Sequence, residues 1–250
     1  MKNWEKDELF LKEIEKPTYA GKYCAIPHDL FIDEINTQLV SKGMEVTDKK
    51  YLVANNGKIM IGEYMIKAHD SEMNIGVSFR NSYNKQVAAS IKTGAIVLVC
   101  KNGMYSTRGE SFKRKHLGAS AFSDVQKNIS LSIDNAETEY RKLLQDRDEL
   151  KERFISKKIV SELVGDMYLN ESLITETQLS LLKKELQFSE HFADHNAWCL
   201  YNNVTEVLKD NHPSNYMKQH LKVYSYLSDA FDLTNKSGLY RKPLTLTEMS

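Results

Sequence analysis

Around Ser123 the apolar residues of this chain change their period, and that change constrains the fold more than any other feature. Before it, Met73, Ile75, Val77 and Phe79 alternate with Asn74, Gly76, Ser78 and Arg80. A period of two is what a strand with one buried face requires, and it sets Arg80 on the face opposite Phe79. After it, Val125, Ile129, Ile133, Ala136, Tyr140, Leu143, Leu144, Leu150 and Phe154 recur mostly at spacings of three and four. That stripe predicts one long amphipathic helix. The chain is therefore expected to be α+β: a small, mainly antiparallel sheet with a backing helix, followed by a helical C-terminal half. Its parts are read as a sheet-containing unit over 1–120, a helical unit over 121–234 and a flexible tail over 235–250.

Local signals fill in this outline. The apolar runs Tyr51–Ala54 and Ile59–Ile61 flank Asn55-Asn56-Gly57, and Asn and Gly tolerate the positive φ of a hairpin turn. Val87, Ala89 and Ile91 alternate, though a helix is an alternative there, and Ala95 to Cys100 reads as a strand covered on both faces. A backing helix is predicted from Pro27, with Phe31, Ile35 and Leu39 on one side and Gly43 as its stop. Asp124 is the expected cap of the long helix, and Ile159, Leu163 and Met167 mark another. Thr175-Glu176-Thr177-Gln178 has the capping-box pattern. Helices over 196–209 and 215–231 complete the chain, separated by His212-Pro213.

With 34 basic and 34 acidic side chains in 250 residues, overall charge gives no reason to expect a polyanionic partner. The distribution does. From Val77 to Leu117 eight cations stand against one carboxylate, Glu110, so the rest of the chain carries an equal excess of acid. Such a segment faces phosphates or pairs with the acidic helices that follow it. No apolar run approaches the ~20 residues a membrane helix needs, and the N-terminal residues are too charged for a signal peptide. The three cysteines, Cys24, Cys100 and Cys199, are expected as separate reduced thiols. A cytoplasmic location is the default expectation.

Candidate site residues concentrate between Arg80 and His116: Arg80, Asn81, Tyr83, Lys85, Lys101, Asn102, Tyr105, Arg108, Lys113, Arg114, Lys115 and His116. Guanidinium and ammonium groups neutralise phosphates, and aromatic rings stack on bases. Tyr83 and Tyr105, with Phe79 and Phe112, are interleaved with the cations, which points to single-stranded nucleic acid. The plainer reading makes these aromatics core residues, Phe79 first among them. Glu110 and His116 are residue types used in general acid–base work, but no catalytic spacing joins them and no catalytic residue is assigned. His191, His195 and Cys199 would share a helical stripe able to hold a metal. Phe192 stands where a zinc-protease helix needs Glu, surface histidines with a buried cysteine are the simpler account, and no metal or cofactor is assigned. The chain has no Walker-type loop, dinucleotide fingerprint or nucleophile elbow.

Several short motifs occur in a particular order: Arg80-Asn81-Ser82-Tyr83 with Lys85, Val99-Cys100 with Asn102, Gly109-Glu110, and Arg114-Lys115-His116. Ala197-Trp198 and Asn202-Asn203-Val204-Thr205-Glu206 follow in the C-terminal half. Over about Ile66 to Phe231 this series resembles the phage- and plasmid-like proteins grouped as domain of unknown function 932. Many members of that family have His-Asp-Lys-Ser after the Asn-Ser, where this chain has Tyr83-Asn84-Lys85-Gln86. A role for a histidine or carboxylate at those two positions does not carry over. The resemblance implies a mobile-element setting and no established activity. At the level of fold alone, a small sheet with a basic face and a long helix is also similar to single-strand annealing proteins.

The expectation is a non-enzymatic accessory protein of a phage or plasmid that binds single-stranded nucleic acid and self-associates as a homo-oligomer. One alternative is an interaction protein that inhibits or sequesters a host factor. A third reading is an enzyme acting on a phosphorylated ligand.

Overall fold

The computed structural model describes residues 4–16, 18, 24–106, 120–188 and 195–233, and the backbone of 112–114, with backbone alone also at 187–188 and 210. In chain order the elements are β1 (Glu5–Lys6), α1 (Glu8–Glu13), α2 (His28–Ser41), β2 (Val46–Ala54), β3 (Ile59–Ile66), β4 (Met73–Ser82), β5 (Ala89–Val97), β6 (Gly103–Met104) and β7 (Phe112–Arg114). The helices α3 (Ala121–Asp134), α4 (Ala136–Glu152), α5 (Lys157–Leu169), α6 (Glu176–Phe188), α7 (Ala197–Val207) and α8 (Pro213–Ala230) follow, with a 3₁₀ turn at Leu208–Asp210. The chain is thus α+β, with its sheet in the N-terminal half and its helices mainly in the C-terminal half.

The sheet is an antiparallel meander in the order β1-β2-β3-β4-β5-β6. β6 pairs with Ala95 and Ile96, while β7 takes Ala89 to Ile91 on the same strand. The predicted hairpin turn forms because Asn55, Asn56 and Gly57 accept φ values of 53°, 54° and 88°. Gly43 ends α2 with φ 66°, as its position predicts.

One face of the sheet is built on Phe79. Register places Tyr51, Gly62, Phe79 and Ile91 in one row across β2, β3, β4 and β5. Gly62 has to be glycine: a Cβ there would lie 2.1 Å from Phe79 Cζ, so the ring packs flat on the strand beside it. Phe31 of α2 and Tyr64 of β3 meet the same ring edge-on, at centroid distances of 5.9 and 5.0 Å. One continuous cluster of buried apolar residues then runs through α2, the sheet and α3 to α8.

Three expectations need correction. Alternation in β4 predicts one buried face, but both are covered: Ser78 is as inaccessible as Phe79, and only Arg80 in this strand is half-buried. Alternation reports side-chain polarity; here helices lie over the polar face as well. The strand expected over Ala95–Cys100 begins earlier, at Ala89, and ends at Val97, because Lys101 turns the chain back through φ 54° and donates its amide to Val97 O. The single long helix is two, broken at Asn135 between α3 and α4. The break lets one stripe serve two surfaces, since α3 packs on α2 and β5 while α4 packs on β4, β5 and α7. Phe154, the last residue predicted in that stripe, lies outside the helix and is exposed, and Ile155 is buried next to it.

Asp124, the expected cap, lies inside the first turn of α3, whose N-cap is Ser120, whereas the capping-box signal holds. Gln178 N donates to Thr175 Oγ1 and Thr175 N to Gln178 Oε1, at 3.3 and 2.9 Å, which is the reciprocal capping box. Asn196 caps α7 through Cys199 N. The tail over 235–250 lies outside the described residues.

Candidate functional site

The second face of the sheet is buried and mixed, polar around Glu63 and carrying a small apolar cluster of Ala54, Ile59, Ile61 and Val87 toward its Arg80 end. Lys50, Glu63, Ser78 and Lys92 form one row across β2, β3, β4 and β5, and Ile61, Arg80 and Ser90 belong to the next row. α8 lies against β2, β3 and β6. From β6 side the ring of Tyr105 reaches across to Glu63, donating its hydroxyl to Oε1 at 2.5 Å. Two glycines make room for it: a Cβ on Gly94 would come within 2.6 Å of the ring, and one on Gly103 within 2.3 Å. Tyr216 of α8 also hydrogen-bonds Glu63. One turn on, His220 Nδ1 donates to Gly103 O at 2.9 Å. A carbonyl only accepts, so the proton is on Nδ1 and Nε2 is a bare, buried acceptor with no hydrogen-bond partner.

Burial dominates the electrostatics here. It raises the pKa of Glu63, against the lowering effect of the Tyr105 hydrogen bond and of Lys50. It pushes the His220 imidazole down to about 4. Lys92 is also lowered by burial, with Glu139 opposing. This set can store a proton, but Tyr105 and His220 are both fully inaccessible, so it fastens α8 to the sheet and presents nothing to a ligand.

A cleft opens where this face approaches the start of α8. It encloses about 660 Å³ and is lined by Arg80, Asn55, His212, Ser214, Asn215 and Lys218, with Gln86, Val87 and Ala88 as the remaining wall. Among the described residues no carboxylate lines it. Arg80 donates its Nε to Ser90 Oγ at 2.9 Å, and among the described residues it has no ion-pair partner. Burial lowers its pKa, yet a guanidinium stays protonated. A half-buried cation without a counter-charge is costly unless an anion completes it.

The predicted site residues separate into distinct groups. Asn81 is buried, donating to Ile26 O and bonding His28 Nδ1. Tyr83 stacks on the His28 ring at 3.9 Å and accepts from His28 N. Asn102 is buried and donates to Asn202 O of α7, and Tyr105 belongs to the Glu63 cluster. The stacking roles expected of Tyr83 and Tyr105 are thus replaced by structural ones, because both rings are enclosed. Lys101 is exposed and paired with Asp48 at 2.7 Å, and Lys85 is exposed on the loop after β4. Lys113 and Arg114 are described by backbone alone; Arg108, Glu110, Lys115 and His116 lie outside the described residues.

Register nevertheless brings the two ends of the stretch together. Arg80 is the Cα partner of Ser90, and Ser90 that of Lys113. Sequence reasoning missed Lys218, His212 and Ser214, which come from a helix more than a hundred residues later. The signal available was Pro213 at the first helical position, but nothing in the sequence says what the end of α8 faces. His191 of the predicted metal stripe is outside the described residues, whereas His195 is exposed ahead of α7 and Cys199 is buried within it. Among the described residues no cluster of metal-ligating side chains occurs, and no helix is long and apolar enough to cross a membrane.

Motifs from the two halves also meet. Cys100 Sγ approaches Asn202 Oδ1 at 3.8 Å, and Lys209, paired with Glu206, donates to Cys100 O at 2.5 Å. Ser82 Oγ closes the loop after β4 by bonding Val87 O and N. In Arg80-Asn81-Ser82, therefore, two residues build the frame and Arg80 faces the cleft. No curated protein and no solved structure matches the chain. A family model does, from residue 31 within α2 to residue 229 near the end of α8, and the chain belongs to that family, described as Domain of unknown function (DUF932).

Proposed function

We propose that this protein binds single-stranded nucleic acid without catalysis, with Arg80 as the principal phosphate contact in the cleft at the start of α8. The observation that carries this reading is the half-buried Arg80 guanidinium, oriented by Ser90 and, among the described residues, unopposed by a carboxylate. Lys218 lines the same cleft, and the row from Arg80 through Ser90 ends on the backbone of Lys113. The cleft volume is within the ~300–1,000 Å³ typical of ligand sites. The setting we propose is a phage- or plasmid-borne accessory role, acting as a homo-oligomer. Titration of a labelled single-stranded oligonucleotide over a salt series tests the binding. Affinity should fall steeply with salt, and Arg80→Ala should reduce the slope of log K against log salt by about one. An unchanged slope and affinity in that variant rejects the reading.

A second reading is favoured by a largely apolar groove between α5, α6 and α7. It holds about 970 Å³ and is lined by Val160, Val164, Leu179, Leu182, Leu186 and Cys199 among others. On this reading the protein sequesters a host factor through that groove. Leu186→Asp should then abolish capture of the partner and leave oligonucleotide affinity unchanged; the first reading predicts no partner to lose.

A further inference from the structure

We infer that the Arg80 cleft takes a terminal phosphate, a phosphate monoester at the end of a strand or on a nucleotide, in preference to an internal phosphodiester. The inference rests on the reading of Arg80 as a phosphate contact and adds which phosphate it selects. Two cationic side chains, Arg80 and Lys218, line one cleft in which, among the described residues, there is no carboxylate. A phosphodiester carries a single charge and offers two free oxygens. A monoester carries about −1.5 to −2 at pH 7 and offers three. Two cations at the positive end of an 18-residue helix match the second better than the first.

Donor geometry supports the same choice. Because Ser90 occupies Nε of Arg80, the remaining guanidinium hydrogens are those on Nη1 and Nη2, an end-on fork suited to two oxygens of one group. Lys218 is exposed, lines the same cleft and has no ion pair among the described residues, so its ammonium adds a second positive charge to the space that Arg80 faces. The helix amides are not the receptor. Ser214 N is taken by His212 Nδ1 at 3.3 Å and Asn215 N by His212 O at 2.8 Å. Selection therefore falls to side chains: Arg80 and Lys218 by charge, with the Ser214 hydroxyl and the Asn215 amide as neutral neighbours. Val87 and Ala88 give the cleft an apolar wall, a surface for the sugar or base attached to that phosphate.

The test uses the full chain and thymidine oligonucleotides of equal length carrying a 5′-phosphate, a 3′-phosphate or only hydroxyl ends. Competition anisotropy is run at matched ionic strength, and inorganic phosphate is assayed separately as a stabiliser against thermal unfolding. At least one phosphorylated end should bind five-fold or more tightly than the hydroxyl-ended strand. That gain should vanish in Arg80→Gln and in Lys218→Ala, the latter a surface change that leaves folding intact, and persist in Lys67→Ala, whose ammonium pairs with Glu45 elsewhere. Equal affinity for all three strands, or a gain that survives both cleft variants, overturns the inference while leaving strand binding itself in place. If no strand binds but inorganic phosphate raises the unfolding temperature of wild type and of neither cleft variant, the inference stands and the polymer reading fails. If neither strands nor phosphate bind, both fall.

Discussion

The two faces of the sheet place an aromatic ring on glycine in the same way, yet they end in opposite chemistry. On one face Phe79 lies over Gly62 and meets the rings of Phe31, Tyr51 and Tyr64. On the other Tyr105 lies over Gly94 and Gly103 and carries its hydroxyl to a buried carboxylate. Apolar burial is non-directional, so the first face stabilises the fold wherever its rings interdigitate. The second face depends on geometry, because Glu63, Tyr105, Tyr216 and His220 are tolerable in the interior only while their hydrogen bonds are made. Those bonds seat α8, and α8 carries Lys218 to the cleft that Arg80 also lines. The polar face is the one that links the packing of α8 to the cleft that Arg80 lines.

The largest test of this contrast is Phe79→Ala. It should cost about 3–5 kcal/mol, since a ring packed on α2, β2 and β3 leaves a cavity that the sheet cannot close. Urea denaturation measures it, and a loss below about 1 kcal/mol would mean that this face is not the main core. Next comes pH. His220 is held neutral by burial, its pKa lowered from 6.5 to about 4. A depressed value means that its contribution is complete above about pH 6.5 and is lost as pH falls toward 4, a swing of up to about 3 kcal/mol. Glu63, raised by burial, acts in the opposite sense: its contribution is complete below its ordinary value and is lost as pH rises through the folded one. His220→Gln should therefore flatten the acid limb of the stability profile between pH 6.5 and 4, and an unaltered limb would show that α8 does not seal this face. The smallest effect is Gly103→Ala. Its Cβ would press on the Tyr105 ring and come within 2.9 Å of Glu63 Oε1, costing about 1–3 kcal/mol. The near-ultraviolet tyrosine signal should change with it.

How much of this was legible in the sequence differs between the faces for a physical reason. Phe79, Val77 and Tyr64 announce a buried face by their own hydrophobicity, and the Asn55-Asn56-Gly57 turn announces its register. Glu63, Ser78 and Lys92 look like solvent residues, because a period-two pattern contains no information about a helix that arrives from residue 213. Asn81, Tyr83, Asn102 and Tyr105 drew attention as functional types, but polar residues are also what a buried polar interface needs to satisfy its own backbone and side chains. Arg80 was recognised for its position opposite Phe79, and that position is what leaves it beside the cleft. Lys218 carried no signal, since an exposed lysine on an amphipathic helix is ordinary in sequence and distinctive only through its neighbours.

The central claim is that the polar face, at its Arg80 end, is the ligand surface. Amide hydrogen exchange of the intact protein, with and without a saturating single-stranded oligonucleotide, tests it most directly. The account predicts added protection in residues 80–90 and in the first turns of α8, from 213 to 218, with β2 and α2 unchanged. Protection confined to α5 and α6, or none at any of these segments despite demonstrated binding, would contradict it.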